Sequence, residues 1–267
     1  MRIAMRIAYD GTAFYGFQRQ PNFRTVEGEL IRVLKKIGVI TSPEESEFKG
    51  ASRTDRGVSA IFNVVSFIPE WRGDLVRPEV LNHHLRDLWV LSVSDVPEDF
   101  HPRFWARSKT YRYYLVDEGF EEKKLRECAK LFEGIHDFSA FARLEPGRDP
   151  VREVKGIGVT KRQGYYLVEI EGKSFLWEMV RRIVNALRFC GLGLLQMDDV
   201  KGMLEGAYSK KIPPAPPEPL VLWRIDYPGM EFPVDKRALM RVRRGLFDRY
   251  SRALSRAAFF GDFLLEL

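Results

Sequence analysis

The stretch Gly50-Ala-Ser-Arg-Thr-Asp-Arg-Gly-Val-Ser59, continued by Ile61-Phe-Asn-Val-Val-Ser-Phe67, is a tight polar loop running into an apolar alternation. Such alternation marks a strand with one face in the core. A loop held rigid by a buried strand is where proteins tend to mount chemistry. Asp55 sits in this loop between Arg53 and Arg56. Cations on both sides suit a carboxylate that works as a nucleophile or an electrostatic stabiliser, and the spacing does not choose between those roles. Asp two residues before Gly is equally what an ordinary turn looks like, its side chain bonding its own backbone. The loop alone leaves both readings open.

Upstream, Ile3, Met5, Ile7 and Tyr9 alternate with Arg2, Ala4, Arg6 and Ala8, which predicts a strand buried on one face. A loop from Asp10 to Pro21 follows, then a helix capped by Thr25 with Val26, Leu30, Val33, Leu34 and Ile37 on one side. Downstream of Phe67 come a short helix over 78–87 and a strand over 88–96, and Pro97-Glu-Asp-Phe-His-Pro102 breaks the pattern. A second, similar set begins with a strand over 110–117, a helix near 121–133, and a hairpin of 152–160 with 165–171 turning at Gln163-Gly164.

Next comes the strongest helical pattern, with Ser174 as N-cap, Leu176, Val180, Ile183 and Leu187 on one stripe, and Gly191 and Gly193 at its end. Its first turns carry Trp177, Arg181 and Arg182, the last read as a solvated arginine. The proline-rich run Ile212–Pro219 reads as an extended connector and 220–227 as a returning strand. From Glu231 onward an Arg-rich helix has Leu239, Val242, Leu246, Tyr250 and Leu254 along one side. It reads as docked on the body with a solvated face, or as touching a nucleic-acid backbone or another subunit.

Strands separated by helices in two similar sets predict an α+β fold with antiparallel pairing. The expected divisions are an N-terminal lobe over 1–100, a C-terminal lobe over 101–230 and a basic amphipathic tail over 231–267.

The 267 residues, 45% hydrophobic and 13% aromatic, are ample for a core, and 43 Lys plus Arg against 37 Asp plus Glu leave a mild bias towards polyanions. Cys128 and Cys190 lie in apolar helical patterns without metal-ligand spacing, so they read as core residues. Neither Walker A nor Rossmann fingerprint occurs, no apolar run approaches a membrane span, and the start lacks a signal-peptide core. A cytoplasmic protein without membrane or nucleotide cofactor is expected.

Several motifs occur in a fixed order: Tyr9-Asp-Gly-Thr12 with Gly16-Phe-Gln-Arg-Gln20, Ser52-Arg-Thr-Asp-Arg-Gly-Val58, Asp99-Phe-His-Pro-Arg-Phe104, and Ala106-Arg-Ser-Lys-Thr-Tyr-Arg-Tyr-Tyr114. His136-Asp-Phe-Ser-Ala-Phe141, Ser174-Phe-Leu-Trp-Glu-Met-Val-Arg-Arg-Ile-Val184, and Pro219-Leu220 ahead of Ile225-Asp-Tyr-Pro228 complete the series. Each is weak alone. Together they closely resemble the TruA family of tRNA pseudouridine synthases.

The resemblance implies an α+β pseudouridine synthase fold: two similar α/β lobes around a largely antiparallel sheet, with the active cleft between them. It implies a homodimer that isomerises uridine to pseudouridine on the 3′ side of the tRNA anticodon stem-loop, around positions 38 to 40, without metal or organic cofactor. By similarity Asp55 is the catalytic nucleophile, Arg53 flips and holds the target nucleotide, and Tyr111 stacks on the uracil. Arg181 pairs with the carboxylate and Leu220 walls the pocket. The chain departs from the family pattern at Arg56 (usually Ala), Ser59 (usually His) and Phe17 (usually Trp). Two rivals are an RNA-binding protein on the same scaffold without catalysis, and an unrelated α+β enzyme using Asp55 as a general acid/base.

Overall fold

The computed structural model describes residues 1–207 and 211–266. Its first strand, β1 (Arg2–Tyr9), departs from the one-sided burial its alternation predicts: seven of its eight residues are buried, on both faces. Ile3, Met5, Ile7 and Tyr9 belong to the main core, while Ala8 lies with Leu91 and Val242 in a second, smaller cluster. Ala8 is small enough for Val242, from near the end of the chain, to pack against that part of the second face.

Thr25 caps α1 (Val26–Lys36), its hydroxyl accepting from the Gly28 N–H at 3.2 Å. Val26, Leu30, Val33 and Leu34 form the buried stripe. After β2 (Lys49–Gly50) and β3 (Ser59–Phe67), Pro78 opens α2 (Pro78–His84) at the first helical turn, where its missing N–H costs nothing. Then follow β4 (Leu88–Val96), β5 (Ser108–Val116), α3 (Glu122–Leu131), β6 (Gly134–Asp137), and the hairpin of β7 (Val151–Arg162) with β8 (Tyr165–Gly172). The remaining elements are α4 (Met179–Gly191), α5 (Met197–Leu204), β9 (Leu220–Asp226) and α6 (Lys236–Glu266). Cys128 and Cys190 are buried on α3 and α4. No helix among the described residues is long and apolar enough to cross a membrane.

Among those residues nine strands form one sheet, in the order β4-β1-β3-β9-β5-β8-β7-β6, with β2 attached to β3. The pairing is antiparallel except between β3 and β9, which run parallel through Ser59–Val221 and Ala60–Leu222. The α+β class with a largely antiparallel sheet therefore holds. The parallel pair matters most for the site. Parallel strands start at the same end, so the Asp55 loop before β3 and the proline-rich connector before β9 emerge side by side.

Two further sequence expectations need correction. Helical periodicity predicts a start at Ser174, but α4 begins at Met179. Glu178, its N-cap, sits at φ 61, a left-handed conformation that does not extend a helix backwards. Trp177 pairs instead with Arg143 in an isolated bridge. Leu176 is buried all the same, so the apolar pattern runs on where the helix does not.

The C-terminal helix docks through its first half. Ala238 and Val242 are buried, and Arg249 forms ion pairs with Asp10 and Asp87. Beyond Val242 the side expected to face the body is open, with Leu246, Tyr250 and Leu254 at 42%, 61% and 53% exposure.

Candidate active site

Asp55 does make a tight turn: the Val58 N–H donates to the Asp55 carbonyl at 3.1 Å, and Gly57 takes φ 84. The turn is built from backbone and leaves the carboxylate free for other work. Arg181 of α4 donates from Nη2 to Asp55 Oδ2 at 2.8 Å. Oδ1 accepts no hydrogen bond from the described residues, and the side chain is about a quarter exposed, at 26%.

Neighbours hold the turn on three sides. Gly11 is pressed so close that a Cβ there would lie 2.1 Å from the Val58 carbonyl oxygen, and its N–H donates to Ser59 Oγ at 3.0 Å. Ser59, one of the departures from the family pattern, thus anchors the N-terminal loop. The Phe17 N–H donates to the Thr54 carbonyl at 3.0 Å. From the connector, Pro217 Cγ comes within 3.0 Å of where a Gly57 Cβ would stand.

Arg181 is the hub between the turn and the connector. Its Nη1 donates to the Ala215 carbonyl at 3.1 Å, and Nη2 also reaches Glu178 Oε1 at 3.3 Å. Asn185 holds the Pro213 carbonyl at 2.9 Å, and Arg182 holds that of Ile212 while pairing with Glu178. Arg182 is therefore not the solvated arginine the sequence suggests: its side chain is only 12% exposed. Proline-rich chain offers few N–H donors but every carbonyl, and α4 supplies matching donors.

Tyr111 reaches the same loop from β5. Its hydroxyl shares a 2.9 Å hydrogen bond with Ser52 Oγ, and its ring meets Phe175 edge-on at 5.3 Å between centroids. Burial pushes the phenol up to about 12, with the Asp55 charge adding to the rise and the Ser52 bond opposing it. The hydroxyl is thus neutral across the physiological range. Arg53 is exposed and has no hydrogen-bond or ion-pair partner among the described residues. Leu220 is buried at the start of β9, opposite Tyr113.

The structure adds a buried network that sequence reasoning missed. Asn63, fully buried on β3, donates to the Ser52 carbonyl at 2.9 Å and to Tyr9 Oη at 3.2 Å. Tyr9 in turn shares a 2.8 Å bond with Thr54 Oγ1. Lys109 Nζ donates to the Ala51 carbonyl at 2.6 Å. Two successive carbonyls at the base of the loop are thus gripped from strands on either side. The signals were a polar residue inside an apolar alternation for Asn63, and a shared inward register with Tyr111 and Tyr113 for Lys109. Among the described residues no three His, Cys, Asp or Glu side chains converge as a metal site.

Burial, with repulsion from Arg103 added, lowers the Lys109 ammonium to about 8 from the ordinary 10.5. Between those two values the unfolded chain binds a proton that the folded chain has released, so stability rises with pH across that window. Between pH 8 and 10 the wild type is expected to gain about 2 kcal/mol relative to Lys109→Met in denaturant unfolding. A constant difference between the two proteins over that range contradicts this.

The α+β fold thus gathers a carboxylate, a paired arginine, a tyrosine and an exposed arginine around one loop. Residues 128–228 match the family described as tRNA pseudouridine synthase. Full-length relatives called tRNA pseudouridine synthase A are 72% identical in Thermococcus gammatolerans, over all of both chains, and 70% in Thermococcus kodakarensis, again over all of both. One from Pyrococcus abyssi is 53% identical over 99% of each. The chain belongs to the TruA family of tRNA pseudouridine synthases, a family of isomerases.

Proposed function

We propose that this chain isomerises uridine to pseudouridine on the 3′ side of the tRNA anticodon stem-loop, around positions 38 to 40, with Asp55 as nucleophile and the target nucleotide flipped out of its helix. The reading is carried by the Asp55–Arg181 pair, 2.8 Å between residues 126 apart in sequence. The pair occupies one carboxylate oxygen and leaves the other for attack on the pyrimidine ring or at the sugar. The N1–C1′ bond breaks, a C1′–C5 bond forms, and the bond from Asp55 to the nucleotide breaks again within the same turnover, restoring the carboxylate. One proton leaves C5 and one is gained at N1, so the step balances within the nucleotide without a cofactor.

Tyr111 supplies an aromatic surface for the uracil and, through the hydroxyl shared with Ser52, a route for the C5 proton. Arg53, exposed and without a partner among the described residues, is suited to phosphate contact and to stacking on bases. The test is to incubate purified protein with unmodified tRNA, without added cofactor, and to map pseudouridine. Product at positions 38 to 40 is expected. Its absence, or product only elsewhere, overturns the proposal.

A homodimer forms part of the same proposal, through the open side of α6. Leu246, Tyr250 and Leu254 recur there every four residues. Six arginines lie between residues 241 and 256, whereas Asp262 and Glu266 lie near the end of the helix. Two copies crossing antiparallel would cover the apolar stripe and set acidic ends against basic beginnings. Light scattering should give twice the chain mass for the wild type and a single chain mass for Leu246→Glu/Tyr250→Glu/Leu254→Glu. A triple variant of dimeric mass removes α6 from the interface.

A further inference from the structure

Directly after Asp55 stands a structure that the proposed chemistry does not use. The guanidinium carbon of Arg56 lies 4.2 Å from the centre of the Tyr15 ring. Tyr15 also stacks on Phe23, with centroids 4.4 Å apart and planes inclined by 28°. A guanidinium and a ring at those distances take opposite faces of Tyr15, so the three groups form one stack in the order Arg56, Tyr15, Phe23.

This stack faces solvent. Tyr15 and Phe23 are 40% and 49% exposed, although Phe14 and Phe17, in the same loop, are buried at 2% and 3%. The loop therefore sends two aromatics into the core and holds a third outside. Backbone contacts fix it there: the Tyr15 N–H donates to the Arg24 carbonyl at 2.9 Å, and Gln20 Nε2 donates to the Tyr15 carbonyl at 2.8 Å. Gly16, at φ 97, lies so close to the Asp55 turn that a Cβ would sit 3.2 Å from the Thr54 carbonyl oxygen. The stack and the carboxylate are thus parts of one rigid unit. Arg56 itself has no carboxylate partner among the described residues.

An exposed planar cation backed by two aromatic rings is matched to a ligand that is flat, π-faced and close to negative charge. Nucleobases in RNA meet that description, because every base has a π face and arginine planes stack on unstacked bases. Flipping one nucleotide leaves its neighbour without a stacking partner on that side. Arg56 follows Asp55 in the same turn, and the Tyr15 loop is hydrogen-bonded to that turn through Phe17 and Thr54, so the stack borders the loop that carries the carboxylate. We infer that the Arg56–Tyr15–Phe23 stack is a nucleobase-binding subsite that receives the base adjoining the target uridine. The inference rests on the proposed function for the identity of the RNA, but not on Asp55 chemistry.

The test uses an anticodon stem-loop RNA with 2-aminopurine beside the target uridine, in two versions carrying it on either side. Wild type, Arg56→Ala, Arg56→Lys and Phe23→Ala are compared for affinity and for 2-aminopurine emission in the complex. Arg56→Ala and Arg56→Lys are both expected to weaken binding on the order of tenfold and to brighten the probe, since the lysine keeps the charge but lacks the plane. Phe23→Ala should shift both readouts in the same direction by less. Wild-type behaviour from Arg56→Lys overturns the subsite in favour of a simple phosphate contact. Unchanged binding and emission in Arg56→Ala overturn it in favour of a stack that only braces the loop. Neither readout needs turnover, so a wild-type protein that binds this RNA without modifying it would overturn the proposed function and leave the subsite standing.

Discussion

Replacing Asp55 by Asn is expected to lower pseudouridine formation on the order of 10⁴-fold or more, as removal of a nucleophile does when the remaining groups serve only through it. The substitution keeps the side-chain shape and removes the charge. The turn should persist, because it is made by the Val58 N–H to Asp55 carbonyl bond and by Gly57 in its left-handed conformation. Arg181 would lose the charge of one partner, whose amide oxygen can still accept, and keep Glu178 and the Ala215 carbonyl. Affinity for tRNA is expected to hold or rise slightly, since one negative charge facing phosphates is gone. Single-turnover assays with saturating protein separate the two effects. A variant that still works at a tenth of the wild-type rate would take the nucleophile's role away from Asp55.

Much of the path to this site is legible in the chain. Thr25 opens α1, Gly57 permits the turn, and the proline-rich run before Leu220 is an extended connector. These depend on local rules, in which one residue type answers one backbone need. The partnership of the turn with the connector is not local. It follows from the parallel pairing of β3 with β9, fixed by two register positions far apart in sequence. The false start of α4 shows a related limit: Leu176 continues the apolar stripe, and only the left-handed Glu178 reveals that the backbone turns before the helix begins. Asn63 escapes a sequence reading because a polar residue in an apolar strand carries no label for what it bonds. Its partners, the Ser52 carbonyl and Tyr9, come from a loop and another strand. Ala8, on the second face of β1, packs with Val242 of α6, a partner supplied from the far end of the chain.

The second large effect is expected at Arg181, where catalysis and stability can be separated by two substitutions. Arg181→Met leaves the Asp55 carboxylate without its cation, frees one side of Glu178, and strips the Ala215 carbonyl of its donor. Removing one partner of a buried pair costs about 3 kcal/mol or more, reduced here because Asp55 is partly open to water, so a loss of about 2 kcal/mol in unfolding free energy is expected. Turnover should fall by about 10² to 10³, the range seen when a preorganised group beside a reacting centre is deleted. Arg181→Lys restores a positive charge, but its single ammonium lacks the planar fork that spans the carboxylate and the carbonyl together. It should recover most of the stability and little of the turnover, with KM for tRNA near wild type in both variants. The reverse result, lost stability with intact turnover in Arg181→Met, would make this arginine a strut for the connector. Equal recovery of both properties by lysine would mean that charge alone, and not the orientation of the carboxylate, is what Arg181 provides.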